Sequence, residues 1–237
     1  ALITGFAGRA SHFIYPLESC GVLQAELKQL ITQLNGWASL YLPAGQGGQI
    51  SVNLLSSGAD ILLLPDGMLT DKVLTGLSAT LGNLPVSRLS VGQPNIDIPL
   101  LLAETAPPVL QLDSAVGGFR LFPPPGCFLQ ASREAETALI QTVLRAAAAR
   151  TDRLQNGQPL RVMDLYCGIG TFTLPLLGAG ATVIGYEANH AAVDSLLAAA
   201  RAIDRGPSCS AHQRDLVAAP VRACLLYTSP SPRDFQV

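Results

Sequence analysis

The chain has 237 residues, of which 49% are hydrophobic and 14% are charged, and its formal net charge is −2. This composition is poor in charge compared with average soluble domains and excludes disorder driven by high charge and low hydrophobicity. It also excludes the broadly basic character of many nucleic-acid-binding proteins, although a local basic groove is compatible with it.

Two helices and three strands are predicted in the first part of the chain. Leucine and isoleucine recur at helical spacing over residues 23–34, and Asn35-Gly36 predicts the end of that helix. A second helix is predicted over residues 74–81, ended by Gly82-Asn83. The strands are predicted at residues 38–42, 49–54 and 60–64. This order favours a mixed α/β domain with an antiparallel component.

From about residue 116 the pattern changes to alternating strands and helices. The strands are predicted at residues 119–122, 160–165 and 181–186, and the helices at residues 133–150, 171–177 and 190–204. Ser132 and Asn189 precede two of these helices and are expected to cap them. We therefore predict a parallel, doubly wound sheet built from β-α-β units.

The change of pattern predicts a domain boundary. We expect a smaller mixed α/β domain at residues 1–115 and the first half of a cofactor-binding domain at residues 116–221. Residues 222–237 contain two consecutive Ser-Pro steps, which resist both helix and central strand, so we expect a non-native or disordered tail.

The sequence does not favour a membrane protein or a secreted protein. A long stretch without a charged residue, between Asp164 and Glu187, is interrupted by glycines and Pro175, so two buried strands around a loop and a helix are expected there. No signal peptide is expected. The five cysteines are odd in number and widely spaced, which favours a reducing, cytoplasmic compartment.

The segment at residues 164–172 (DLYCGIGTF) is expected to leave a strand and enter a helix. Gly168 and Gly170 allow a tight turn and the close approach of a ligand to the backbone. Glu187, at the end of the next predicted strand, can accept hydrogen bonds from both ribose hydroxyls of an adenosine-containing cofactor. The alternative is an ordinary β-α-β unit with a glycine turn and an incidental acid.

Two cofactor classes use this geometry. A dinucleotide site requires a third glycine, where this chain has Thr173, and places a pyrophosphate at the helix N-terminus. Asp164 repels a pyrophosphate but suits the ammonium group of an amino-acid cofactor. The acid therefore favours S-adenosylmethionine, which has that ammonium group and no phosphate.

Residues 122–130 (FPPPGCFLQ) and 164–172 together resemble the uracil-C5 RNA methyltransferase family, most closely the bacterial 23S ribosomal RNA enzymes that make 5-methyluridine. The resemblance covers roughly residues 1–221. It implies a partial class I, Rossmann-like methyltransferase domain preceded by a central domain on the RNA side. It also implies dependence on S-adenosylmethionine, RNA as the partner, with ribosomal RNA favoured, and a monomer at full length.

The resemblance also implies which residues contact the cofactor. These are Gln130, Tyr166, Thr171 and Glu187, with Asp215 near the adenine. For three of these residues a plainer alternative is open. Gln130 can be a cap of the helix at residue 132, Tyr166 can be an ordinary core residue, and Asp215 can be an ordinary loop residue. Thr171 departs from the asparagine often found in the family, but its hydroxyl can keep one hydrogen bond.

The family's chemistry requires a thiolate that attacks C6 of the uracil and a base that removes the C5 proton. The resemblance implies that both come from a later region of the fold, and Cys167 in the glycine turn fits a small buried residue. We therefore predict no catalytic residue in this chain. Cys20 resembles the last ligand of a 4Fe-4S cluster whose other three ligands lie upstream in the family, and one thiolate cannot hold such a cluster.

Residues 224–234 resemble a translated sequencing adapter, which predicts that the genuine sequence stops near Val221 and that this polypeptide is an inactive fragment. The main alternatives are a class I methyltransferase for a small molecule or a protein, and a non-catalytic RNA-binding fragment. A nicotinamide-dependent dehydrogenase is a more distant alternative. The sequence contains neither a basic run nor an aromatic platform for base stacking, so RNA binding rests on the resemblance.

Overall fold

The structure is a computed structural model that describes residues 3–8, 13–17, 23, 25–79, 81, 84–94, 98–130, 132–151 and 158–221. Tertiary contacts divide the chain into two compact units. Unit 1 comprises Ala1–Ser114 and Gly118–Gln141, and unit 2 comprises Ala115–Gly117 and Thr142–Val237. The expectations about Cys20, the helix end at Gly82-Asn83 and the tail at residues 222–237 lie outside the described residues.

The first part of the chain alternates short ribbons, helices and a sheet. An antiparallel ribbon of β1 (Gly5–Ala7) and β2 (Ile14–Pro16) precedes α1 (Ala25–Tyr41). The elements that follow are β3 (Gly48–Leu55), β4 (Gly58–Pro65), α2 (Asp71–Ala79), β5 (Val86–Val91) and β6 (Leu100–Glu104). A second ribbon joins β7 (Leu110–Ser114) to β8 (Gly117–Leu121), and α3 (Arg133–Thr151) comes after it.

Unit 1 is built on the sheet β3-β4-β5-β6. The pairs β3–β4 and β5–β6 are antiparallel, whereas β4 and β5 are parallel. Its core joins the buried faces of α1 and α2 to this sheet through residues such as Leu34, Leu77, Ile61 and Leu89. The predicted mixed α/β architecture with an antiparallel component is confirmed.

The predicted strand at residues 38–42 is wrong, because α1 continues through Asn35 and Gly36 to Tyr41. Trp37 and Ala38 are buried on the same helical face as the leucines of the preceding turns. A glycine inside a helix costs about 1 kcal/mol, and burial of a tryptophan ring stabilises the helix by more than that.

Strand β5 was not predicted, and its composition explains why. Ser87, Arg88 and Ser90 interrupt the apolar pattern, yet all six residues of β5 are buried. The Ser87 hydroxyl donates to the carbonyl of Ala59 at 3.1 Å. The side chains of Ser87 and Arg88 thus have partners that sequence periodicity does not reveal, and the partner of Arg88 is Asp60 on β4.

Unit 2 contains a parallel sheet in the order β11-β10-β9. Its elements are β9 (Arg161–Leu165), α4 (Thr173–Gly178), β10 (Thr182–Glu187), α5 (His190–Ala202) and β11 (Cys209–Gln213). Asn189 caps α5 by accepting from the amide of Ala192 at 3.2 Å, as predicted. The predicted parallel β-α-β arrangement is confirmed. No helix in the described part of the chain has the length and apolarity to cross a membrane.

Residues 118–141 group with unit 1 rather than with the sheet that follows them. The Arg88 guanidinium donates to the carbonyl of Pro123 at 2.7 Å, and the Asn53 amide donates to the carbonyl of Cys127 at 2.9 Å. These bonds fasten the proline-rich segment to the unit 1 sheet. The functional division expected at residue 115 stays a prediction.

Candidate functional site

Three loops of unit 2 follow the carboxyl ends of its parallel strands. Residues 166–172 follow β9, residues 188–189 follow β10 and residues 214–219 follow β11. The strand register brings these ends to one edge of the sheet, where open α/β sheets bind their ligands. We call these three loops, with Asp164 and Glu187, the carboxyl-edge site. The predicted residues of unit 2 all lie in it.

Glu187 links two of these loops. One carboxylate oxygen accepts from the amide of Gly168 at 3.1 Å, and the other accepts from the amide of Asn189 at 2.9 Å. A carboxylate has about four lone-pair directions, so two directions stay available after these bonds. The side chain is therefore held in one orientation with acceptor capacity to spare.

Glycine is suited to positions 168 and 170 of the turn for different structural reasons. Both have a positive φ, +54° at Gly168 and +99° at Gly170. A Cβ on Gly168 would meet nothing within 4 Å, whereas a Cβ on Gly170 would lie 2.4 Å from the Cδ1 atom of Leu196. Gly170 is required for packing against α5, and Gly168 borders open space through which a ligand can reach the backbone.

Because of this difference, alanine substitutions at the two glycines should destabilise unit 2 by unequal amounts. Gly170→Ala is expected to destabilise unit 2 by about 1–3 kcal/mol through overpacking and by roughly 1–2 kcal/mol more through its positive φ. Gly168→Ala should be destabilising only through its positive φ, without the overpacking. Urea unfolding followed by far-ultraviolet circular dichroism measures both, and equal losses in the two variants would contradict the packing role of Gly170.

Tyr166 opens the turn with a φ of +59°, a region that non-glycine residues seldom occupy. Its side chain is 63% exposed, so the alternative of an ordinary core tyrosine is wrong. Such backbone strain is typical of functional sites. Thr171 lies half-buried in the same turn, just before α4.

Asp164 is fixed by Thr173, whose hydroxyl donates to the carboxylate at 2.6 Å. Thr173 is fully buried and stands where a dinucleotide-binding turn has its third glycine. Burial raises the pKa of Asp164, and the hydrogen bond from Thr173 opposes that rise. The helix entrance thus presents a partly desolvated carboxylate, which disfavours a phosphate there and favours a cation.

Asp164→Asn is expected to make unit 2 more stable at neutral pH. Because burial raises the pKa of Asp164 in the folded state, the folded chain binds the proton more tightly than the unfolded chain. Stability is therefore greatest below the ordinary aspartate pKa and falls as the pH rises through the raised value. Asparagine does not titrate and keeps an acceptor for Thr173.

Urea unfolding of the wild type and of Asp164→Asn, from about pH 4 to about pH 8, tests this. The difference between the two proteins should grow with pH. Asp194→Asn, at an exposed position on α5, is the control for the removal of one carboxylate charge from this unit. An identical pH dependence in the wild type and in Asp164→Asn would contradict the assignment.

Asp215 shapes the third loop. One of its carboxylate oxygens accepts from the amides of Val217 at 2.8 Å and Ala218 at 3.1 Å. The preceding amide, of Arg214, donates to the carbonyl of Glu187 at 2.7 Å and ties this loop to β10. Asp215 therefore has a structural part in the loop, as its plainer alternative supposed, and the residue before it is bonded to the predicted ribose acceptor.

Cys167 is buried inside the carboxyl-edge site. Its amide donates to the carbonyl of Tyr186 at 3.1 Å, and a Cβ on Gly185 would lie 2.8 Å from its sulfur. Burial raises the pKa of this thiol to about 12, and the charges of Asp164 and Glu187 add to the rise. It stays protonated at neutral pH, which fits a packing residue rather than a nucleophile.

Two predicted residues lie outside this site. Gln130 belongs to unit 1, so its cofactor contact stays a prediction. The cap of α3 is formed by Ser132, whose hydroxyl accepts from the amide of Ala135 at 3.2 Å, rather than by Gln130. Cys20 lies outside the described residues, and within the described ranges no three metal-ligating side chains gather.

The part played by Thr173 was not predicted. Position 173 was expected only to be the place of an absent glycine, whereas in the structure this threonine is the partner of Asp164. The available signal was a hydroxyl nine residues after a strand-end aspartate, on the first turn of the following helix.

Comparisons with known proteins agree with this geometry. No family model matches the chain. The chain is 32% identical over 189 residues to the 23S rRNA (uracil(1939)-C(5))-methyltransferase RlmD of Tolumonas auensis, which covers 78% of this chain and 39% of that protein. It is 30% identical over 206 residues to an uncharacterized RNA methyltransferase of Brucella suis, which covers 86% of this chain and 43% of that protein.

A solved structure shows the fold. The tRNA (uracil-54, C5)-methyltransferase of Pyrococcus abyssi, in complex with S-adenosyl-L-homocysteine, superposes with a TM-score of 0.58 and 13% identity. The match covers 84% of this chain and 49% of that one. The chain thus spans less than half the length of these relatives. The similarity to the Tolumonas auensis protein, at 32% identity over 78% of this chain, shows that the chain belongs to the RNA uracil-C5 methyltransferase family.

Proposed function

We propose that this chain is part of an S-adenosylmethionine-dependent enzyme that methylates C5 of uracil in RNA, with ribosomal RNA as its substrate. The observation that carries the proposal is the placement of two carboxylates, Asp164 and Glu187, on either side of an open glycine turn at the carboxyl edge of a parallel sheet. The similarity to the Tolumonas auensis enzyme supports the reaction and the choice of ribosomal RNA.

The residues of the site fit this cofactor. Glu187 keeps two acceptor directions after binding the amides of Gly168 and Asn189, which suits two ribose hydroxyls. Asp164 keeps acceptor capacity for an ammonium group after accepting from Thr173. The bound cofactor supplies the methyl group.

Further contacts are proposed from the family resemblance. Tyr166 and Thr171 would line the turn, Asp215 would approach the adenine, and Gln130 would contact the cofactor from its own segment. The exposed ring of Tyr166 at a strained backbone position is consistent with such a role.

No described cysteine has the character of the required nucleophile. Cys127, Cys167 and Cys209 are free thiols, and burial raises the pKa of each, to about 12 for the first two. Because a thiolate is needed for attack at C6 of uracil, we propose that this 237-residue chain has no turnover by itself.

We assign no step to a 4Fe-4S cluster. Free thiols also suit the reducing cytoplasm that we propose as its compartment.

Calorimetric titration tests the cofactor assignment. The chain should bind S-adenosylmethionine or S-adenosylhomocysteine and should not bind a nicotinamide dinucleotide, because Asp164 repels a pyrophosphate at the turn. Binding of the dinucleotide in place of S-adenosylmethionine would contradict the proposal and favour a dehydrogenase.

Filter binding tests the choice of RNA. The full-length natural protein that contains this chain should retain ribosomal RNA in preference to transfer RNA, at one stated salt concentration. Preference for transfer RNA would contradict the ribosomal assignment, and retention of neither would favour a methyltransferase for a small molecule or a protein.

A further inference from the structure

The third loop of the carboxyl-edge site, residues 214–219 after β11, is tied at its base to the neighbouring strand and loop. The backbone amide of Arg214 donates to the carbonyl of Glu187 at 2.7 Å, at the end of β10. One residue earlier, the side-chain amide of Gln213 donates to the carbonyl of Ala188 at 3.1 Å. The start of the third loop therefore has a fixed place beside Glu187.

The side chain of Arg214 closes this loop from its first residue to its last. Its guanidinium donates from Nε to the carbonyl of Ala219 at 2.6 Å and from Nη2 to the carbonyl of Pro220 at 3.3 Å. Arg214 forms no ion pair with a carboxylate in the described part of the chain. The guanidinium thus acts on the backbone of the loop rather than on another charge.

The loop that Arg214 closes has little other support. Leu216 is buried, but Asp215 and Val217 on either side of it are exposed, Val217 by 83%. The amide of Ala219 donates to the carbonyl of Asp215 at 2.8 Å. Exposed loops with little buried apolar surface open at a low free-energy cost. The orientation of Asp215 therefore depends on the hydrogen bonds that keep the loop closed.

Asp215 has an unused acceptor beside the proposed ribose site. One oxygen of its carboxylate accepts from two amides of the loop, and the other accepts no bond from a described residue. The preceding residue, Arg214, is bonded to Glu187, the proposed ribose acceptor. In a nucleoside the base is attached directly to the ribose, so a group that recognises the base has to lie near the group that holds the ribose.

A carboxylate oxygen distinguishes two purine bases by their substituent at C6. It accepts a hydrogen bond from the amino group of adenine and repels the carbonyl oxygen of hypoxanthine. We infer that Arg214 is a positioning residue, which by closing the third loop holds the carboxylate of Asp215 for the amino group of the bound base. This inference rests on the proposed function, which supplies the adenosine-containing ligand. Arg214 acts through Asp215 and is not assigned a contact with the base.

Four variants of the 237-residue chain separate positioning from a merely structural role. Arg214→Met removes the donors to the two carbonyls, whereas Arg214→Lys keeps a donor that can reach one of them. Asp215→Asn keeps an acceptor for the loop amides and places an N–H group where the unused oxygen was. Arg205→Met, which removes an exposed arginine of the same unit, is the matched control.

The first readout is calorimetric affinity for S-adenosyl-L-homocysteine and for S-inosyl-L-homocysteine, which differ at C6 of the base. The wild type should prefer the adenosyl ligand by at least about tenfold, and Arg214→Met should lose most of that preference. Arg214→Lys should recover part of it, and Arg205→Met should keep all of it. Adding Arg214→Met to Asp215→Asn should have little further effect on the preference, because the two residues act together.

The second readout needs no ligand. Hydrogen exchange of the amides at residues 217–219, resolved by peptide mass spectrometry, should be about tenfold faster in Arg214→Met. Exchange in a peptide from α5 serves as the internal reference and should not change.

Each outcome decides a part of the inference. Unchanged exchange at residues 217–219 in Arg214→Met would overturn the closure of the loop by Arg214. Faster exchange with an equal loss of affinity for both ligands would make Arg214 merely structural, and equal binding of both ligands by the wild type would overturn the role of the amino group. If the wild type binds neither ligand, the proposed function fails and the link to the base fails with it, whereas the exchange rates still decide whether Arg214 closes the loop.

Discussion

Arg88→Met alone is expected to destabilise unit 1 by about 3–5 kcal/mol, a large part of the stability of an ordinary domain. The substitution leaves the fully buried carboxylate of Asp60 without its bidentate partner, and it also frees the carbonyl of Pro123. A buried charge without a counter-charge cannot regain its lost hydration, so the cost exceeds the ordinary value of a hydrogen bond.

Trp37 provides the measurement, because it is the one tryptophan of the chain and is 6% exposed in α1 of unit 1. Its fluorescence during urea unfolding reports on this unit. Arg120→Met, which removes an exposed arginine of the same unit, should change stability by less than about 0.5 kcal/mol. Similar unfolding midpoints for the two arginine variants would contradict the buried ion pair.

Glu187→Gln is expected to weaken binding of S-adenosylmethionine by roughly tenfold to a hundredfold. Hydrogen bonds to a charged group contribute about 1.5–3 kcal/mol each, and the amide of glutamine lacks the charge and one acceptor. It also turns an N–H group toward one of the two backbone amides, of Gly168 or Asn189, that the carboxylate accepts from. A smaller loss of stability should accompany the loss of affinity.

Calorimetry on Asp194→Asn supplies the control for this prediction. Asp194 is an exposed carboxylate on α5 of the same unit, paired with His190 at 3.2 Å on the helix surface. Its removal should leave cofactor affinity unchanged. Equal affinity for S-adenosylmethionine in Glu187→Gln and in the wild type would contradict the assignment of Glu187 as a cofactor-binding residue.

The sequence predicts β9, α4, β10 and α5 of unit 2 because their signals are local, whereas β11 was not predicted. Strands β9 and β10 are short apolar runs around a glycine turn, and Asn189 caps α5 as its position indicates. The position of the candidate site is predicted equally well, because residues at the carboxyl ends of adjacent parallel strands must lie at the same edge of the sheet. The bonds that fix Asp164 and Glu187 could not be predicted, because they depend on side-chain directions across the turn.

Unit 1 was predicted less well because its determinants are tertiary. Helix α1 passes through Asn35-Gly36 because Trp37 and Ala38 find a buried face, which no local propensity signals. Strand β5 buries Arg88, and only a carboxylate on the neighbouring strand makes that possible. The attachment of residues 123–127 to this sheet likewise depends on partners 35 and 74 positions away in the chain.

Release of tritium from RNA labelled at C5 of uracil tests the central claim most directly. The full-length natural protein that contains this chain should release tritium to water only when S-adenosylmethionine is present, because methylation replaces the C5 hydrogen. The 237-residue chain by itself should release none. Methyl transfer without tritium release, or tritium release by the 237-residue chain alone, would contradict the account.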